Sequence, residues 1–302
     1  MKNLTFGIEI ELTGISREAV AKAVAGYFGT SAHYLGGGYD KWEAQDNQGR
    51  SWQIMNDSSI SPETKQSGRR TAAGFDHRVE LVSPICTYGD IETVQELTRV
   101  LRRTGGFTNR TCAIHLHVGK ERFSARTLRN LVNIIASKED LIYQALQVDR
   151  DRERRYCQKV KESFLAELNR QKPMGLEQLA DLWYQGYSGS RSQHYHQSRY
   201  HGLNLHATFN GPTVEYRIFN GTMHAGKVKA YIQFCLAVSY QALSQKSASA
   251  KKTVTSNPKY TFRTWLLRLG LIGKEFETAR LHLLKNLEGD SAFRNGRQAA
   301  GL

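Results

Sequence analysis

Apolar side chains occupy every second position of Phe6-Gly7-Ile8-Glu9-Ile10-Glu11-Leu12. Period two predicts a β-strand, with Phe6, Ile8, Ile10 and Leu12 on one face and Gly7, Glu9 and Glu11 on the other. The alternation recurs. Residues 113–118 set Ile114, Leu116 and Val118 against His115 and His117. Residues 203–208 set apolar positions against Asn204, His206 and Thr208, and residues 214–218 set Val214, Tyr216 and Ile218 against Glu215 and Arg217. Residues 78–82 add Glu80. An ordinary solvated sheet face carries Lys, Thr, Ser and mixed charges. These faces carry Glu, His, Asn and Arg, the side chains that bind metals and phosphates. The chain reads as one sheet, apolar behind and chemical in front.

Helical spacing fills the intervals. Ser16 caps a predicted helix to about residue 28, and Ser124 caps another to about residue 148. Further helices are expected at 89–104, 156–169, 176–184, 225–244, 261–269 and 274–287. Strands are expected at 41–44 and 51–55. Gly36-Gly37-Gly38 lacks the Gly-Lys-Ser/Thr ending of a P-loop and reads as a turn. The turn after the 51–55 strand holds Asp57 and Ser59. Residues 61–75 read as a mobile, basic loop. The charged run 149–155 reads as a solvated helix face or a helix junction. Residues 186–200, rich in Gly, Ser, Tyr, His and Arg, read as a loop that closes over a ligand. The expected organisation is a catalytic domain over 1–245, a basic linker over 246–257 and a small helical extension over 258–302, frayed from Gly289.

The chain has 302 residues and a formal net charge of +14, so its surface attracts polyanions. Its four cysteines are scattered, with no Cys-x-x-Cys pair, which argues against a cysteine zinc site or a disulfide framework and for a reducing cytoplasm. No apolar run approaches a membrane span, and the start reads as having no signal peptide. Zinc-finger spacing, a basic zipper and an RNP-type aromatic motif are all missing from the sequence, so dedicated nucleic-acid binding is the weaker use of the charge.

Carboxylates two residues apart on a strand sit about 6–7 Å apart and repel, and a divalent cation compensates them. A half-buried strand with its acids in water is the plain alternative for Glu9 and Glu11 alone. The recurrence of the pattern favours a shared site.

Taken in order, Phe6-Gly7-Ile8-Glu9-Ile10-Glu11, the Trp52 to Ile60 stretch with Asp57 and Ser59, Val79-Glu80-Leu81-Val82-Ser83-Pro84, His115-x-His117-Val118 and Glu215-Tyr216-Arg217-Ile218-Phe219-Asn220 resemble the amidoligase family. That family is similar to glutamine synthetase and to the glutamate–cysteine ligases. The resemblance implies an α+β fold: a curved antiparallel sheet with a polar concave active-site face and helices on its apolar face. It implies ATP-dependent joining of a carboxylate to an amine with Mg2+ or Mn2+. Glu9, Glu11, Glu80, His117 and Glu215 then stand as metal ligands. His115 stands as a metal or phosphate contact and Arg217 as the arginine on the transferring phosphate. Asp57, Ser59, Arg199 and Asn204 face substrate or nucleotide, with Asp57 the candidate proton acceptor. Glutamine synthetase supplies one more metal-binding acid near the counterpart of Glu80; Asp76 and Glu63 are the candidates here. Expected partners are carboxylate and amine substrates, such as a peptide, a protein or a cell-wall fragment.

Two rival readings accompany this one, and a third stays inside the fold: a kinase that stops at the phosphorylated product. A zinc hydrolase would use His115 and His117 with His194, His196 and His206, and Glu215 as base, but leaves Glu9, Glu11, Glu80 and Arg217 without a shared job. A non-catalytic polyanion or nucleic-acid binder would use the basic surface alone.

Overall fold

A computed structural model describes residues 1–294. The expected frayed tail lies from residue 295 onward outside the described residues. The fold is α+β, with a large antiparallel sheet of eight strands that does not close on itself. In chain order the first elements are β1 (Phe6–Leu12), α1 (Arg17–Phe28), β2 (Ala32–Gly36), β3 (Lys41–Gln45), β4 (Ser51–Met55), β5 (Glu63–Gln66), β6 (Arg69–Ala72), β7 (Val79–Val82), α2 (Ile91–Arg103) and β8 (Ala113–Gly119). Helices α3 (Ala125–Leu146), α4 (Arg150–Arg155), α5 (Glu162–Gln171) and α6 (Leu176–Tyr184) follow. Then come β9 (Leu203–Asn204), α7 (His206–Asn210), β10 (Thr213–Asn220), α8 (Ala225–Ser244), α9 (Pro258–Arg268) and α10 (Glu277–Leu284).

The chain divides into two compact units. Among the described residues, the first comprises residues 2–117 and 219–232, and the second residues 118–218 and those from 233 to 294 together with Met1. In the first unit the strand order is β2-β3-β4-β7-β1-β8. The alternation in β1 has its predicted effect: Phe6, Ile8, Ile10 and Leu12 are 3 % exposed or less. Each such burial stabilises by about 1.5–3 kcal/mol before entropy is counted. Helix α1 lies against β2, β3, β4 and α2. It starts at Ser16, whose hydroxyl accepts the Ala19 N–H, and ends at Gly29 in the left-handed conformation.

The second unit is mostly helical. Helix α3 begins with a reciprocal Ser124–Thr127 capping box and packs on α5 and α10. Residues 246–257 form no helix or strand but are tied along α3. Asn133 donates to the Ala248 carbonyl (2.9 Å) and Ser137 to that of Lys251 (2.8 Å).

Three sequence expectations are corrected, and one strand was not anticipated. Residues 61–75 are not a structureless loop: β5 and β6 form a hairpin there. The strand expected over 203–208 stops at Asn204, and His206 begins helix α7, so the alternation of Asn204, His206 and Thr208 marks no shared strand face. Asn204 causes the switch, because its side-chain Oδ1 accepts the His206 N–H (2.9 Å) and turns the chain. The helix expected from residue 156 begins at Glu162; the preceding helix ends at Arg155, and Gln158 between them forms a β-bridge with His201. Residues 32–36, not read as a strand, pair with β3.

Candidate functional site

Five sequence-predicted residues meet on the polar face of the first unit. In the ladder between β1 and β7, Glu11 stands directly opposite Glu80. Like charges placed so destabilise an antiparallel pair. The ligand atoms of Glu11, Glu80 and His115 all lie within 4.8 Å of one another. Glu11 is 2 % exposed, and its Oε2 accepts the Ala113 N–H at 2.6 Å. His115 Nε2 lies 3.8 Å from the other Glu11 oxygen. On the second polar position of β1, Glu9 Oε2 lies 2.8 Å from His115 Nδ1, and Oε1 lies 3.0 Å from His117 Nε2. Burial pushes the Glu9 carboxyl up, but His117 and His115 outweigh it and hold the group well below the usual carboxylate range. Glu9 is therefore ionised.

The set fits a divalent cation. Two carboxylates and one imidazole converge, and the opposed Glu11 and Glu80 carry a repulsion that a cation relieves. Oxygen-rich donor sets suit Mg2+ or Mn2+ better than zinc.

In the second unit, β10 carries Glu215 and Arg217 on one face. Glu215 pairs with Asn204 across the ladder. Its Oε2 accepts from Asn204 Nδ2 at 2.6 Å and its Oε1 from Arg217 Nη1 at 2.5 Å. Both ionised groups are buried. Removing one partner of such a pair costs about 3–5 kcal/mol, because the other charge stays buried. Arg199 is half-buried, with Nη1 donating to the His194 carbonyl (3.3 Å) and its guanidinium over the Tyr195 and Tyr200 rings.

The remaining candidates have other contacts. Asp57 accepts the Ser59 N–H at 2.7 Å in the turn after β4, and Ser59 is exposed. The Glu63 carboxylate lies 3.6 Å from Arg70 and that of Asp76 lies 3.1 Å from His77. The histidines of the zinc reading spend ring nitrogens elsewhere. His206 Nδ1 bonds the Tyr184 hydroxyl (2.7 Å) and His196 Nδ1 the Ser198 hydroxyl (2.9 Å). Burial, then the neighbouring His196, lowers the His206 pKa and favours the neutral ring.

Sequence reasoning missed two participants. The Ala113 N–H is backbone and carries no residue signal. Arg152 sits in a charged run read as solvated, yet it is 5 % exposed and donates to the Arg217 carbonyl at 3.3 Å. Nothing in seven consecutive charged residues marks which one turns inward.

The family model described as "Putative amidoligase enzyme" matches residues 2–239. The chain belongs to this amidoligase family of enzymes. No curated protein matches it.

Proposed function

We propose that the chain is an ATP-dependent carboxylate–amine ligase that works through an acyl phosphate and has the glutamine synthetase-like arrangement. The observation that carries the reading is the opposed Glu11–Glu80 pair closed by His115, in a member of an amidoligase family. In the first step a substrate carboxylate oxygen attacks the γ-phosphorus of ATP, and the bond to the leaving ADP oxygen breaks. In the second, an amine nitrogen attacks the acyl carbon, phosphate leaves, and the amine loses a proton.

Glu11, Glu80 and His115 would hold the divalent ion, with Glu9 and His117 beside them. Such an ion, when bound, neutralises phosphate oxygens. Glu9 stays ionised at neutral pH and orients both imidazoles through its two oxygens. Arg217 supplies a fixed, always-ionised fork for the transferring phosphoryl group, and Glu215 holds that fork in place. Asp57 takes the proton of the attacking amine, while Arg199, Asn204 and Ser59 contact substrate or nucleotide.

Isothermal titration of a non-hydrolysable ATP analogue tests this, with and without Mg2+, into wild type and Glu9→Gln. The expected result is binding that needs both Mg2+ and Glu9. With an amine and a carboxylate supplied, Arg217→Ala should lower ADP release about 10³- to 10⁵-fold. Normal ATP turnover by a well-folded Glu9→Gln chain would sink the assignment.

A further inference from the structure

A second feature of the first unit is a groove of about 520 Å3 beyond the end of β1. Lys65 and Arg70 of the hairpin line it, with Arg102 from the last turn of α2 and the buried ring of Phe107. Lys65 and Arg70 are direct partners in the β5–β6 ladder. Two cations opposed on a two-stranded hairpin destabilise it. Both reach the Phe107 ring, Lys65 Nζ at 5.1 Å and Arg70 Cζ at 4.7 Å from its centre. Among the described residues no carboxylate lines the groove; Glu63, 3.6 Å from Arg70, offsets one charge of three.

The floor is built to a close tolerance. Gly14 has φ +96°, and a Cβ there would lie 2.5 Å from the Phe107 ring. The hairpin is docked rather than loose: the Gly14 N–H donates to the Glu63 carbonyl (2.9 Å), and the Thr13 hydroxyl to the same oxygen (2.8 Å). The groove is thus a formed feature of the fold with an excess of positive charge.

We infer that this groove binds the carboxylates of an acidic peptide, as the distal part of a substrate whose reacting group lies at the Glu9–Glu11–Glu80 face. The inference rests on the ligase reading for the word substrate. Gly14 lies three residues beyond Glu11, just past the end of β1, or roughly 10 Å along the chain. A single amino acid does not span that gap, whereas about three extended residues do. Two forked guanidinium groups and an ammonium suit carboxylates. Nucleic acid fits less well: Phe107, the ring among the lining residues, is buried and already covered by cations, so it presents no platform for a base.

The test is fluorescence anisotropy of a fluorescein-labelled hexaglutamate peptide with the full chain and no nucleotide. Lys65→Ala/Arg102→Ala should weaken binding about tenfold or more, and the loss should deepen with Arg102→Glu. Arg103→Ala changes charge on the same helix outside the groove and should shift affinity by less than about twofold. Hexaglutamine should not bind. Equal peptide affinity in wild type and the double variant overturns the proposal. So does a single-stranded oligonucleotide that binds tighter than the peptide and is lost in the same variants. Groove-dependent peptide binding by a chain that binds no Mg–ATP overturns the substrate role and the ligase reading together. A chain that turns over ATP but binds peptide without the groove residues overturns the groove alone.

Discussion

Glu80 stands where a like charge on the neighbouring strand costs stability. Facing Glu11 on the neighbouring strand, it adds a like-charge pair to a half-buried position. Glu80→Gln relieves that repulsion, so the variant should melt higher than wild type without added metal. Mg2+ should raise the wild-type melting temperature and leave that of Glu80→Gln nearly unchanged. Calorimetry with and without Mg2+ checks both, and an equal Mg2+ response in the two chains would remove Glu80 from the cation site. Glu139 is a different case, in which burial pushes the carboxyl up to about 8 from an ordinary 4.5 despite the N–H it accepts from Val160 and the nearby Lys159. Between about pH 4.5 and about pH 8 the folded chain keeps a proton that the unfolded chain has released. Stability therefore falls as pH rises through that window, by up to about 1.4 kcal/mol per pH unit. Glu139→Gln keeps an acceptor for Val160 and should flatten this slope in urea unfolding, gaining most above pH 8.

Among the elements, α3 has the most to lose from one cap. Its Ser124–Thr127 box satisfies orphan N–H groups, and its flank carries Asn133 and Ser137, which anchor the 246–257 segment. Ser124→Ala should cost about 1 kcal/mol and lower the melting temperature by about 2–4 °C. An unchanged melting temperature would mean that water replaces the cap without loss. The elements also show how far patterning reaches. Alternation located β1, β7, β8 and β10, and capping residues located α1 and α3, because these signals are local. The hairpin of β5 and β6 leaves no signal in the sequence, since its strands are polar: Glu63-Thr64-Lys65-Gln66 and Arg69-Arg70-Thr71-Ala72 have no apolar face. It forms because Ser67 and Gly68 turn the chain with positive φ and because Thr13 and Gly14 bind its first residue.

At the level of the whole molecule the formal charge of +14 is the dominant long-range term. Self-repulsion of an excess charge destabilises the compact state, and salt screens it. Raising ionic strength from about 0.01 M to about 0.15 M shortens the screening length from about 30 Å to about 8 Å and should raise the melting temperature. A fall instead would mean that attractive pairs such as Arg50 with Asp46 and Asp90 outweigh the repulsion. The same salt change should weaken peptide binding in the basic groove, so stability and affinity should move in opposite directions.

The faces of β1, β7, β8 and β10, the starts of α1 and α3, and the Glu and His content of the first unit's polar face were legible in the linear chain, since period two, period 3.6 and cap residues act over a few positions. So was the placement of Glu215 and Arg217 on one strand face, two residues apart, although their ion pair was not. Contacts between distant segments were not. That Glu11 would face Glu80, that a backbone N–H at Ala113 would hold Glu11, and that Arg152 would turn inward beneath Arg217 depend on strand register and helix packing. So does the meeting of Lys65, Arg70 and Arg102 around Phe107. Register is set by the simultaneous burial of many apolar side chains, and no short stretch of sequence carries that sum.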